Sequence, residues 1–89
     1  MPYTVRISPA AQRQFRALPA AVQDRIQPRI DALAQDPRPP GAKKLVAETP
    51  LYRIRIGDHR VIYAVQDDAL LVTVLAVGHR SDVYRRRSR

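Results

Sequence analysis

The sequence predicts an α+β fold, with two helices packed on one face of a small antiparallel sheet. Apolar residues recur at helical spacing in the first 36 residues, whereas residues 51–77 contain the alternating and apolar runs of strands. A proline-rich segment separates the two patterns. The predicted order is strand, helix, helix and three strands, within a single domain over residues 1–89 and followed by a basic tail.

The N-terminal part predicts a strand and two helices. Residues 3–7 alternate and are rich in β-branched and aromatic types, which favours a strand. Ser8 and the proline after it favour a helix start, because a hydroxyl caps the first turn and the ring already has a helical φ. Pro19 ends this helix, and a second apolar stripe predicts another over residues 20–35. Pro28 lies inside that stripe and predicts a kink or a helix in two pieces.

A long loop is predicted at residues 37–50, which contain four prolines and a glycine. Lys43 and Lys44, the only lysines of the chain, lie within it. Loops of this length in a small domain are often functional, so the two lysines are candidate binding residues.

A β-hairpin is predicted next, with strands at residues 51–56 and 59–66. Its two-residue turn begins with Gly57, as a type II′ turn requires, and this turn pairs Ile56 with His59. The register places five apolar or aromatic side chains on the side that must face the helices, namely Tyr52, Ile54, Val61, Tyr63 and Val65.

Three arginines share the other face of this hairpin: Arg53, Arg55 and Arg60. Like charges that face each other on a sheet repel, so the cluster suits a site that receives an anion. The alternative is that three solvated arginines extend into water at little cost.

The last strand, at residues 70–77, is almost entirely apolar, which favours a position inside the sheet. Residues 80–89 form a basic tail. Strict alternation would place Arg80, its first residue, on the face opposite Arg60. Membership of Arg80 in the arginine cluster therefore depends on a turn at the end of the strand.

Composition excludes several classes of chemistry. The chain has no cysteine and two histidines, which argues against disulfides, thiolate catalysis and zinc sites. Asp67 and Asp68 suit a turn better than a metal site. No signal peptide and no apolar run of about 18–20 residues is present. We therefore expect a cytoplasmic protein without a cofactor, metal or membrane association.

The positive charge predicts a polyanionic partner. Sixteen lysines and arginines oppose eight acidic residues, which gives a net charge of +8, and all but two of the sixteen are arginine. The arginine guanidinium binds phosphate through paired hydrogen bonds, so nucleic acid is the first candidate. A solubilising surface and a patch that meets an acidic protein are the alternatives.

Two segments of the sequence resemble the RelE branch of the RelE/ParE superfamily, the toxins of bacterial and archaeal toxin–antitoxin pairs. The segments are LYRIRIGDHRVIY at residues 51–63 and VGHRSDVY at residues 77–84. The strand–helix–helix opening and the stretch Lys43-Lys44-Leu45 also look like the family.

The resemblance implies a ribosome-dependent endoribonuclease. RelE-type toxins bind the ribosomal A site and cut mRNA there without a metal, by attack of the 2′-OH on the neighbouring phosphate. Positions of the family's catalytic set match Arg53, Arg55, Arg60, Arg80 and Tyr84. The arginines would stabilise the charge of the transition state, and the tyrosine would stack on a base. Further basic residues would bind RNA or the ribosome, namely Lys43, Lys44, Arg85 and Arg86.

The sequence departs from the family at the expected general base. Arg53 and Arg55 occupy positions that are lysine in well-known members, and arginine stays protonated near neutral pH. The proton would then pass to Tyr84, to a group of the ribosomal RNA, or to His79, which alternation places on the face of Arg60. A packing role is the alternative for His79, and we assign no role to His59.

The resemblance also implies a partner and leaves two other functions open. An acidic antitoxin of the RelB type would cover the charge of the toxin, and no small-molecule ligand is expected. A ParE-type toxin, which poisons DNA gyrase without cutting RNA, is the first alternative. A non-catalytic RNA-binding module with the same fold is the second.

Overall fold

The computed structural model describes residues 2–45 and 49–79 and confirms the α+β class. Its elements, in chain order, are β1 (Thr4–Ile7), α1 (Pro9–Arg16), α2 (Ala20–Ala32), β2 (Lys43–Lys44), β3 (Leu51–Ile56), β4 (His59–Gln66) and β5 (Leu71–His79). The strands form one sheet in the order β1-β5-β4-β3-β2. Apolar residues of both helices and of the sheet share one core. In the described part of the chain, no helix has the length and apolar character needed to cross a membrane.

Capping and burial explain the two helices. The hydroxyl of Ser8 caps α1, since it accepts a hydrogen bond from the backbone N–H of Ala11 at 3.1 Å. Helix α2 continues through Pro28, so the alternative of a helix in two pieces is wrong. Ile26 and Ile30, on either side of the proline, are fully buried in the core. Burial of two such side chains contributes about 3–6 kcal/mol, which offsets the cost of about 3 kcal/mol for an internal proline.

The hairpin has the predicted register. Ile56 pairs with His59, and Gly57 has a φ of +61°. Asp58 lies outside the positive-φ region, as the second residue of a type II′ turn does. The face toward the helices therefore carries buried residues from both strands, namely Ile54, Ile56, Val61, Tyr63 and Val65.

The sheet is mixed rather than wholly antiparallel. Strand β1 pairs in parallel with β5, with Val5 opposite Val72, and this confirms that β5 lies inside the sheet. Alternation within a strand does not specify which strand it pairs with, so the sequence pattern could not predict the parallel pairing of β1 with β5. Lys43 and Lys44 form an edge strand within the predicted loop. Lysine is a poor strand former, although it is common on edges because it discourages further pairing.

A β-bulge interrupts the pairing of β4 with β5. Ile62 is opposite Ala76, whereas the next residue, Tyr63, is opposite Val74. Leu75 is therefore an extra residue on β5. One extra residue reverses the alternation of faces for the residues that follow it. Side chains at the end of β5 therefore lie on the faces opposite to those that the sequence predicts.

Candidate nucleic-acid interface

Three arginines lie together on the sheet face that points away from the helices. Arg55 is directly opposite Arg60 across β3 and β4, and Arg53 lies two residues before Arg55 on the same face. The neighbour of Arg60 on β5 is Gly78, which has no side chain to compete for space. The register thus brings together the three arginines that the sequence groups; we call this surface the arginine face.

Exposure differs sharply between members of the arginine face. Arg60 is buried, with 7% of its surface accessible, whereas Arg55 is exposed and Arg53 is half-buried. Surrounding atoms hold a buried arginine in place, while an exposed one can adapt to a ligand. Arg60 is therefore a preorganised charge, and Arg55 is an adaptable charge beside it.

A cavity of about 310 Å³ opens beside the arginine face. Its walls are formed by Arg29, Pro40, Gly41, Lys43, Arg53 and Arg55. Four of these six residues are cationic and none is acidic. Lys43 reaches the cavity because it is opposite Arg53, whereas Lys44 is opposite Tyr52 on the helix side of the sheet. The two candidate lysines therefore lie on different faces.

Arg29 belongs to this cavity although the sequence gives little sign of it. It lies near the end of α2, next to the buried Ile30, in a segment where the apolar stripe dominates the pattern. The one available signal is electrostatic. Positions 25 and 33, one turn away on either side, are arginine and leucine, so no acidic side chain at helical spacing pairs with Arg29.

His79 does not share the face of Arg60. It is directly opposite His59, and the two rings meet edge to face with centroids 5.9 Å apart. The predicted face is wrong because the extra residue at Leu75 reverses the alternation. A role for His79 in proton transfer stays a prediction that the register does not favour.

Four predicted site residues lie outside the described residues, namely Arg80, Tyr84, Arg85 and Arg86. Their roles stay predictions. The prediction that Arg80 lies on the face opposite Arg60 assumed a regular last strand. The described part of β5 contains a bulge at Leu75, so that assumption does not hold for this strand.

A separate polar network lies at the end of the hairpin farthest from its turn. Arg38 donates two hydrogen bonds to the carboxylate of Asp67, at 3.1 and 2.7 Å, and the Tyr3 hydroxyl donates a third at 2.6 Å. These donors, Arg38 foremost, lower the pKa of the Asp67 carboxyl. Arg38 thus has a carboxylate partner. Among the described residues, no group of three or more His, Cys, Asp or Glu could hold a metal ion.

The chain is similar in sequence to known toxins. A family model described as "ParE toxin of type II toxin-antitoxin system, parDE" matches residues 5–84. Toxin RelG of Mycobacterium tuberculosis (strain ATCC 25618 / H37Rv) is 31% identical over 87 residues, and the match covers 97% of this chain and 100% of that protein. A RelE-like toxin protein of Escherichia coli is 30% identical, with coverage of 94% and 92%.

Solved structures share the fold over most of their length. A chain of the RelBE2 toxin–antitoxin complex from Mycobacterium tuberculosis matches with a TM-score of 0.78 and 29% identity, covering 90% of this chain and 100% of that one. The archaeal RelE–RelB complex from Pyrococcus horikoshii OT3 gives 0.76 and 29%, with coverage of 90% and 97%. The chain therefore belongs to the RelE/ParE superfamily, the toxins of type II toxin–antitoxin systems.

Proposed function

We propose that this toxin is a ribosome-dependent endoribonuclease that cuts mRNA in the cytoplasm. The observation that carries the proposal is the direct pairing of buried Arg60 with exposed Arg55 on one sheet face. Two adjacent cations on neighbouring strands repel each other, and a phosphate between them would relieve that repulsion. A metal-free reaction on RNA uses such charges at the reacting phosphate.

In the proposed reaction, the 2′ oxygen of one nucleotide attacks the adjacent phosphorus. The bond from phosphorus to the 5′ oxygen breaks, which leaves a 2′,3′-cyclic phosphate and a free 5′-OH. Negative charge on the non-bridging oxygens is greatest in the pentacoordinate transition state. Arg60 and Arg55 stabilise that charge, and Arg53 and Arg80 complete the set that the family resemblance supplies.

Proton transfer needs a different group, because arginine stays protonated near neutral pH. The 2′-OH must lose a proton and the leaving 5′ oxygen must gain one. We assign one of these transfers to Tyr84, with a ribosomal RNA group as the other participant. Replacement by Tyr84→Phe keeps the ring and removes the hydroxyl, so a large loss of rate indicates proton transfer and a small loss indicates stacking alone.

The proposed partner is an acidic antitoxin of the RelB type. Solved relatives are complexes of RelE with RelB, and a toxin with a net charge of +8 attracts a protein of opposite charge. Such an antitoxin would compete with RNA for the cationic surface. We therefore expect it to suppress ribosome binding when the two proteins are mixed.

Inhibition of DNA gyrase is the second candidate function. The match to a family model named for ParE favours it. The RelE-type names of the similar proteins and the Arg53, Arg55 and Arg60 set favour the nuclease. Binding to gyrase would not need this set of arginines.

One parallel experiment separates these functions. The protein is mixed with translating ribosomes and their message, with the same message alone, and with gyrase and supercoiled DNA. We expect mRNA cleavage in the first mixture only. Gyrase-dependent DNA breaks without mRNA cleavage would establish the ParE-type function. Ribosome binding without either product would indicate a non-catalytic RNA-binding module.

A further inference from the structure

We propose that the cavity beside the arginine face is a second phosphate subsite, which holds the phosphodiester next to the one that is cut. The subsite would be formed by Arg29 and Lys43 together with Arg53. Arg55 lines the cavity and also faces Arg60, so the two phosphates would lie on either side of it. This inference rests on the proposed function and adds a specific place for the RNA chain.

The cations of the cavity converge from three separate parts of the chain. Arg29 lies on α2, Lys43 on the edge strand β2 and Arg53 on β3. Among the described residues, no carboxylate lies within 4 Å of any of them. Gathering unpaired cations around one cavity opposes folding, whereas a bound anion turns the same arrangement into a favourable one.

Arg53 gives an independent sign of an anionic ligand. Its Nε atom is buried, and within the described part of the chain it has no hydrogen-bond acceptor. Buried polar groups are nearly always paired, so a buried donor on a cavity wall favours an acceptor that enters from outside. Arg53 lines the cavity, so a rotation of its guanidinium would bring Nε within reach of a phosphate oxygen there.

The shape of the cavity favours a continuous chain over an isolated ion. Gly41 forms one wall without a side chain, and nothing lies within 4 Å of the position that a Cβ would take there. The cavity is therefore open beside Gly41 and continuous with the arginine face at Arg55. A nucleic-acid backbone can pass through such a site and present successive phosphates. An acidic peptide is the competing occupant.

Matched arginine variants on α2 test the subsite. Arg29→Gln and Lys43→Gln each remove one charge from the cavity. Arg25→Gln is the control, because Arg25 lies one turn before Arg29, is exposed, and is not part of the cavity lining. Glutamine has nearly the helix propensity of arginine, so the helix variants should fold, and thermal unfolding verifies this for all three.

The probe is a 2′-O-methyl hexanucleotide, which cannot be cut because it lacks the attacking hydroxyl. Binding to the full-length protein is measured by fluorescence anisotropy at several salt concentrations. We expect each cavity variant to weaken binding by about tenfold and to reduce the salt slope by about 0.7. The control should change affinity by less than about twofold, because its charge acts only at long range.

Three results would overturn the subsite. Equal losses in the Arg25 and Arg29 variants would show general charge attraction, and unchanged binding in both cavity variants would exclude contact. Loss of binding to a glutamate-rich hexapeptide with unchanged oligonucleotide affinity would assign the cavity to a peptide. Failure of the proposed function would give a different result. The wild-type protein would then leave mRNA intact, while the cavity variants would still bind the oligonucleotide more weakly than the Arg25 variant does.

Discussion

The side-chain oxygen of Gln14 accepts a hydrogen bond from the backbone N–H of Val77 at 2.9 Å. Gln14 lies on α1, and Val77 follows the bulge in β5. Strand β1 pairs with β5 only as far as Ile7 opposite Val74, so no strand among the described residues covers the edge of β5 beyond that point. The helix supplies the missing acceptor there. It thereby fixes the end of β5, where Gly78 lies opposite Arg60.

Removal of this hydrogen bond should destabilise the fold. Val77 is buried, so Gln14→Ala would leave its N–H without an acceptor and lower the free energy of unfolding by about 1–3 kcal/mol. Gln12→Ala is the control, because Gln12 is exposed on the same helix, and it should change stability by less than about 0.5 kcal/mol. Urea unfolding measures both variants. Equal stabilities for the two would show that the bond to Val77 contributes nothing.

Alkaline pH should destabilise the protein through Tyr63. Burial raises the pKa of this phenol to about 12, from an ordinary value of 10.0. The unfolded chain ionises first, so the stabilisation is complete below about pH 10 and is lost as the pH rises toward 12. The maximum slope is about 1.4 kcal/mol per pH unit.

Tyr63→Phe isolates this effect. The variant loses the hydrogen bond from the hydroxyl to the Pro37 carbonyl, 2.8 Å long, and should be about 1–3 kcal/mol less stable at pH 8. That difference should shrink as the pH rises from 10 toward 12. Urea unfolding at a series of pH values gives the comparison, and a constant difference would refute the ionisation argument.

Acid pH should weaken the network around Asp67. Hydrogen bonds from Arg38 and then Tyr3 lower the pKa of this carboxyl below its ordinary value of 3.8. A lowered pKa stabilises the fold above that ordinary value, and the stabilisation is lost as the pH falls through the folded-state pKa. Asp67→Asn should therefore flatten the acid side of the stability curve. Asp68→Asn is the control, because it changes the same exposed turn and leaves the hydrogen bonds of Asp67 in place. Thermal unfolding compares the two variants between about pH 2 and 6, which is roughly the range over which carboxyl groups titrate.

Much of the hairpin could be predicted from sequence because its determinants are local. Gly57 fixes the turn, and alternation then fixes the face of Arg53, Arg55 and Arg60. The bulge at Leu75 has no local signature, since its extra residue is one apolar side chain in an apolar strand. It is supported by contacts with α1 that only the tertiary fold creates.

Helix α2 shows that the candidate site, too, could be predicted only in part. Its apolar stripe predicts that Ile26 and Ile30 are buried, and both are. No pattern within the helix shows that Arg29 meets Lys43 and Arg53, because that meeting depends on the path of residues 37–42 and on the pairing of β2 with β3. Juxtaposition across elements is a property of topology rather than of periodicity.

Single-turnover cleavage of ribosome-bound message tests the arginine face most directly. Arg55→Ala and Arg60→Ala are each compared with wild type at saturating toxin, with Arg25→Ala as the control for a lost surface charge. Circular dichroism verifies that the buried Arg60 variant still folds. We expect both variants of the arginine face to cut about 10²–10³ times more slowly, with ribosome affinity little changed, and the control to cut at the wild-type rate. Cleavage of bound message at the wild-type rate by Arg55→Ala and Arg60→Ala would contradict an arginine-driven reaction.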